Sequence, residues 1–226
     1  FCAAFNIRRV RYEPFAYEPI RAAMRMMYGR NTVPVHSFEN AEVVLTFGAD
    51  IFETWVSPVD YQHGWGQGVS YRNGRRGRMI SVTPHQSLTD MNADEWLPVK
   101  PGTEHLVALA MARIIADNGG DPGPGAAMLA NVDVAQAAAA AGISPERIRQ
   151  VATAFANGGR SIAVGPGVAS THAAATAVAS AVLLLNQVAG NIGRTVHIDR
   201  AEAAGSNLGT YQDMQQLVQR MANGQV

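Results

Sequence analysis

The sequence predicts an α/β fold, a Rossmann-like parallel sheet flanked by helices, and three features carry that prediction. Val43-Val44-Leu45-Thr46-Phe47 is an almost unbroken apolar run, which is how a strand buried on both faces of a parallel sheet reads. Strand-like runs alternate with helix-like segments along the chain, a pattern that calls for right-handed crossovers between parallel strands. Several of these strands run into turns rich in Gly, Pro or acidic residues, the order in which an open α/β sheet presents loop residues at its carboxyl edge.

Taken from the amino end, Arg8-Arg9-Val10-Arg11-Tyr12 is a short strand candidate closed by Glu13-Pro14. Tyr17-Glu18-Pro19 opens a helix with Pro at an early position, where its missing N–H costs nothing. That helix carries Ile20, Met24 and Met27 on one face and ends at Gly29; Met24, Met26 and Met27 read as adaptable core packing. After the 43–47 strand, residues 57–77 mix five glycines with aromatic and polar residues. They suit either a poorly packed helix followed by a turn or a long surface loop. Met79-Ile80-Ser81-Val82 is the next strand, and Trp96-Leu97-Pro98-Val99 is a short strand or an extended segment.

Thr103 is placed to cap the next helix through its hydroxyl, with Glu104 favoured in the first turn by the helix dipole. This helix runs to about Asp117 and stops at Gly119-Gly120. Asp121-Pro122-Gly123-Pro124-Gly125 is a loop and an internal boundary. It divides a dinucleotide-binding-like α/β region, residues 1–120, from a helix-rich second α/β region, residues 121–226. Helices follow over 133–141 and, opened by Ser144-Pro145-Glu146, over 144–156. Ser161 to Val164 is a strand turning at Gly165-Pro166-Gly167, then a long helix runs from about Ser170 to Gly190-Asn191-Ile192-Gly193. The last helix spans Asp213 to Met221.

With 226 residues the chain can bury a proper core, and its 18 basic and 18 acidic side chains cancel. That balance gives no basic face for nucleic acid and no polybasic patch for a membrane surface. A charged fraction of only 16% in an Ala- and Gly-rich chain suits a domain covered by neighbours in a large complex, and equally a plain compositional bias. A single cysteine, Cys2, excludes an internal disulfide and any Cys-built cluster or zinc site within these residues. No apolar run reaches the 18 or so residues that a span needs. Phe1-Cys2-Ala3-Ala4-Phe5 has neither an initiator Met nor a signal layout, so the chain is expected to be a segment of a longer polypeptide.

Candidate chemistry gathers in four turns: Gly48-Ala49-Asp50, Thr83-Pro84-His85, Pro101-Gly102-Thr103-Glu104 and Gly165-Pro166-Gly167. On one sheet edge they would line a nucleotide crevice, with glycine admitting a phosphate and acids taking guanine or ribose donors. The same residues also suit tight loops with solvated acids. The histidines show no metal-ligand spacing, and there is no GxGxxG, P-loop or GxSxG. Asp94-Glu95 reads as a surface turn, because adjacent side chains in extended backbone point oppositely. His172, just inside the helix after the last glycine turn, suits either an anion at a helix N-terminus or a capping role.

As a set, these turns resemble the molybdopterin-guanine-dinucleotide oxidoreductase superfamily. There one strand ends in Gly-x-Asn and a second in Asp-Pro-Arg, Ala-Asp follows, and Pro-Gly-Thr-Asp opens an Ala- and Leu-rich helix. Here those places hold Gly48-Ala49-Asp50, Thr83-Pro84-His85, Ala93-Asp94 and Pro101-Gly102-Thr103-Glu104. Leu185-Asn186 through Gly190-Asn191-Ile192-Gly193 looks like that family's L-N-x-x-x-G-N-I-G ending. A narrower likeness lies in residues 12–23, 47–59 and 88–96, which resemble the molybdopterin-like subunit of alternative complex III, a bacterial quinol:electron-acceptor oxidoreductase.

The resemblance implies a molybdopterin-oxidoreductase-like fold and a structural role in that membrane-bound complex of an electron transport chain. It implies no cofactor, catalytic residue or metal in this segment, with iron–sulfur clusters and haem elsewhere. The implied partners are the iron–sulfur region, a multihaem cytochrome and a quinol-binding membrane protein, at a peripheral, extracytoplasmic position. Vestigial cofactor positions would be Gly48, Asp50, Thr83, Glu104 and His172: Thr83 stands where the family has a ribose-binding Asp, and His85 where it has a phosphate-facing Arg. The alternative implied by the wider likeness is a fragment of an active reductase or dehydrogenase that holds molybdopterin guanine dinucleotide through Asp50, Thr83 and Glu104.

Overall fold

The computed structural model describes residues 2, 4, 5, 7, 9–14, 17–71, 76–167, 173–203 and 208–225. A four-stranded parallel sheet forms the centre, in the order β4-β3-β2-β5. Its strands are β2 (Val43–Thr46), β3 (Arg78–Thr83), β4 (Glu95–Pro98) and β5 (Ser161–Val164). Every residue of β2 and β5 is buried, as the apolar run at 43–47 requires of a strand covered on both faces. Register is direct: Val44 lies beside Met79 on one side and Ile162 on the other.

The helices are α1 (Glu18–Tyr28), α2 (Pro58–Gly68), α3 (Leu88–Met91), α4 (Glu104–Asp117), α5 (Val134–Ala141), α6 (Pro145–Asn157), α7 (Ala175–Val188) and α8 (Tyr211–Ala222). Helix α7 is apolar almost throughout and buries Val178, Leu184 and Leu185 against α1 and α4. Helices α5 and α6 start where the sequence places them, because the side chains of Asp133 and Ser144 accept first-turn amides. The regions on either side of Asp121–Gly125 share one sheet, since β5 pairs with β2.

Several local expectations are corrected. Arg9 to Tyr12 is not a strand; the Arg11 carbonyl accepts from Gly209 N at 2.7 Å instead, and Arg8 lies outside the described residues. Of the two readings left open for 57–77, residues 58–68 take the helical one despite Gly64, Gly66 and Gly68; Gly64 lets the helix lie against Phe38 and Glu39. Met26 is 66% exposed and takes no part in the core that buries Met24 and Met27. The Thr103 hydroxyl donates to the Lys100 carbonyl at 2.6 Å and caps nothing in α4. The helix expected from about Ser170 is described from Ala175, its first residues lying outside the described set.

An antiparallel ribbon of two-residue strands, β1 (Val35–His36) and β6 (Val196–His197), was not legible in the sequence. Within it His36 is buried against Trp55, with ring centroids 5.1 Å apart, and near Phe38 and Tyr61. Burial, aided by His197, pushes the His36 imidazole down to about 3.

Candidate functional site

Because all four central strands are parallel, the turns after β2, β3, β4 and β5 lie on one edge of the sheet. The chain runs outward from β2 through β3 to β4, then returns to place β5 on the other side of β2. The switch point, where such sheets hold ligands, therefore falls between the β2 and β5 turns. In this protein those turns pack directly on each other. A Cβ on Gly167 would overlap the Gly48 carbonyl oxygen, so glycine is required there. Trp55, 1% exposed, donates from its indole Nε1 to the Pro166 carbonyl at 2.8 Å and ties the β2 loop to the β5 turn.

The β3 turn is closed on itself. Thr83 is fully buried; its Oγ1 accepts from His85 N at 3.1 Å and donates to the His85 carbonyl. Ser87 and Asp90 form a capping box on α3, with Ser87 N and Oγ each donating to Asp90 Oδ2 at 2.8 Å. The other Asp90 oxygen accepts from the Ser81 hydroxyl within the sheet. Asp50 meets this cluster from the β2 turn. Burial raises its carboxyl above the ordinary range; a hydrogen bond from Ser87 works the other way, while the neighbouring carboxylates of Asp90 and Glu53 raise it further. An anion at the β2 turn thus meets acids first, with His85 the opposing group there.

Among the sequence candidates, the structure sets Gly48, Asp50 and Thr83 on adjoining turns. Glu104 is buried in the first turn of α4, beyond the outer strand β4. His172 lies outside the described residues. Asp94 and Glu95 sit at the opposite, amino edge. Asp94 accepts from Met79 N and Arg76, each at 2.9 Å, and Glu95 pairs with Arg78 and Arg147, so both are structural ties. Among the described residues, no group of three or more His, Cys, Asp or Glu is placed to hold a metal ion. Trp55, Ser87 and Asp90 were missed as edge residues, although the Ser-x-x-Asp spacing of a capping box was readable.

The Leu185–Gly193 motif does a different task from the turns. On the free side of β5, Asn186 Oδ1 accepts from Ala163 N at 2.9 Å and its Nδ2 donates to Ala163 O at 2.8 Å. One side-chain amide so copies the pairing of a missing neighbour strand. Asn191 Nδ2 donates to Asn186 Oδ1 and to Ser161 Oγ, both at 3.1 Å, and Thr195 Oγ1 donates to Ser161 O at 2.6 Å.

No family model matches the chain, but individual proteins do. The molybdopterin-binding-like subunit of menaquinone reductase from Nitratidesulfovibrio vulgaris is 24% identical over 186 residues, 80% of this chain and 27% of that protein. A probable dimethyl sulfoxide reductase chain from Escherichia coli K12 is 33% identical over 46% of this chain and 13% of its own length. A sulfite dehydrogenase polypeptide from Allochromatium vinosum is 49% identical over 51 residues, 23% of this chain and 5% of that one. The homologues of this chain are molybdopterin oxidoreductases. The fold agrees: acetylene hydratase from Pelobacter acetylenicus superposes with a TM-score of 0.61 at 19% identity, over 78% of this chain and 25% of that one. The chain spans about a quarter or less of the length of the relatives it matches.

Proposed function

We propose that this chain is a cofactor-free, molybdopterin-oxidoreductase-like scaffold in a membrane-bound quinol-oxidising complex of the alternative complex III type. The observation that carries the reading is the acidic character of the β2 turn. Asp50 stands there beside Glu53 and Asp90, where a dinucleotide's pyrophosphate calls for N–H donors and cations. Thr83 spends its hydroxyl on the backbone of His85, and Trp55 occupies the seam between the β2 and β5 turns. The residues at this edge therefore do not fit molybdopterin guanine dinucleotide, and no reaction step is assigned to them.

A relative named as the molybdopterin-binding-like subunit of a menaquinone reductase supports a place in a respiratory quinone complex. In such a complex, iron–sulfur and haem groups of other parts would carry the electrons, and this chain would hold those parts in register at a peripheral, extracytoplasmic position. No described helix is long and apolar enough to cross a membrane.

A second reading, a fragment of a molybdopterin-guanine-dinucleotide enzyme, is favoured by the local identity to named reductase and dehydrogenase chains. The two separate on acid extraction of the purified complex. The scaffold reading expects neither oxidised-pterin fluorescence nor released GMP; one or two equivalents of either per chain would overturn it.

A further inference from the structure

Val56 and Tyr17 hold backbone angles that glycine usually takes, and the two residues touch each other. Their φ values are 51° and 50°, and among the described residues no other non-glycine position has φ above zero. In this left-handed region Cβ is driven against the following carbonyl oxygen, and a β-branched residue such as Val is an outlier there. Strain of this kind persists only where the surroundings over-determine it.

Here one phenol supplies the constraint. Val56 N donates to the Tyr17 hydroxyl at 2.8 Å, and that hydroxyl donates to the Thr54 carbonyl at 3.3 Å. Tyr17 stands at the head of α1, where its carbonyl accepts from Arg21 N at 3.0 Å. The two phenol bonds clasp the backbone on either side of Trp55, whose indole ties the β2 loop to the Pro166 carbonyl. On the near side of Val56, the Asp50 carbonyl accepts from Glu53, Thr54 and Trp55 N at 3.0 to 3.1 Å, so residues 50–55 form one compact turn. On its far side α2 begins at Pro58 and is pinned by the close approach of Gly64 to Phe38 and Glu39. Val56 is the joint between these two pieces. If it relaxes to a negative φ, the pinned helix stays and the turn that carries Trp55 moves.

We propose that the Tyr17–Val56 contact is a strained latch: it holds Trp55 in the seam at the switch point, and its release lets the β2 loop draw the indole away from Pro166. The start of α1 and the carboxyl edge of the sheet are thereby coupled through one two-state joint, which is what such coupling physically requires. A contact that turns the Tyr17 phenol aside opens the seam. Ring contacts of Trp55 with His36 and Tyr61, at 5.1 and 5.6 Å between centroids, are not directional and permit this movement. The latch stands whether or not the edge ever holds a ligand.

The test is hydrogen exchange of the indole N–H groups in the full chain, followed by NMR. Trp96 serves as the internal reference, since its indole also donates to a carbonyl on this edge, that of Thr83 at 3.1 Å, without belonging to the latch. Tyr17→Phe keeps the ring and removes the hydroxyl. The Trp55 indole should then exchange about fivefold faster, the factor that one lost neutral hydrogen bond carries, while Trp96 keeps its rate. Adding Val56→Asn, a residue that tolerates the left-handed region, should bring the Trp55 rate back to within about twofold of the parent, because the joint no longer pulls. An unchanged Trp55 rate in Tyr17→Phe, an equal acceleration at Trp96, or a double variant as fast as the single one would each overturn the proposal.

Discussion

The carboxyl edge of the sheet and the free side of β5 both carry motif residues that suggested the family, and the two regions treat them in opposite ways. At the carboxyl edge, Asp50, Thr83 and His85 depart from the Asn, Asp and Arg that the resemblance would call for; Asp50 bonds to Ser87, and the Thr83 hydroxyl bonds to the His85 backbone. On the free side of β5, Leu185-Asn186 through Gly190-Asn191-Ile192-Gly193 matches the family pattern throughout. There Asn186, held by Asn191, satisfies backbone groups on the side of β5 that faces no strand. On the scaffold reading proposed above, turn residues with no ligand to hold are free to change. Groups that close a sheet are not, because an orphaned buried amide costs the fold directly.

The largest effect expected from this contrast is at Asn186. Replacing it with Leu leaves Ala163 N–H and C=O buried and unpaired, for a loss of about 3 kcal/mol in urea denaturation. A loss below about 1 kcal/mol would remove the clasp from the account. Next is acid. His36 is neutral when folded down to about pH 3 but titrates near 6.5 when unfolded, so between these values the unfolded chain binds the extra proton. Stability should therefore fall steadily as pH drops from about 6.5 toward 3, and His36→Phe should flatten that part of a melting-temperature profile. A slope unchanged by the substitution would place the acid sensitivity elsewhere.

Trp55→Phe, which keeps the ring but removes the bond to Pro166, should cost about 1 kcal/mol and leave the sheet intact by circular dichroism. Asp50→Asn is the smallest. It removes a half-buried carboxylate from beside two others, so its stability should stay within about 0.5 kcal/mol of the parent. A cost several times that would show the turn to be as architectural as the clasp and would erase the contrast between the two regions.

The legible parts were those whose cause is local. Apolar runs gave β2, β3 and β5, and Ser144-Pro145-Glu146 gave the start of α6 to the residue. Residues 58–68 stayed ambiguous because three glycines weaken helix propensity, and the helix is decided by packing on Phe38. The β1–β6 ribbon was invisible, its strands being two residues long and 160 or more positions apart. The four turns were correctly placed on one edge, since parallel strands alone require it. Their chemistry was not readable to the same depth: that Thr83 turns back on His85, or that Trp55 bridges to Pro166, depends on contacts between distant segments. The Asn186–Asn191 motif was visible as a pattern, while its task of covering β5 needed the sheet order.

Elemental analysis of the natively purified protein, with whatever polypeptides accompany it, decides between the scaffold proposal and its alternative. The scaffold proposal expects iron from accompanying polypeptides and no molybdenum or tungsten above trace level. Stoichiometric molybdenum or tungsten per copy of this chain would contradict it.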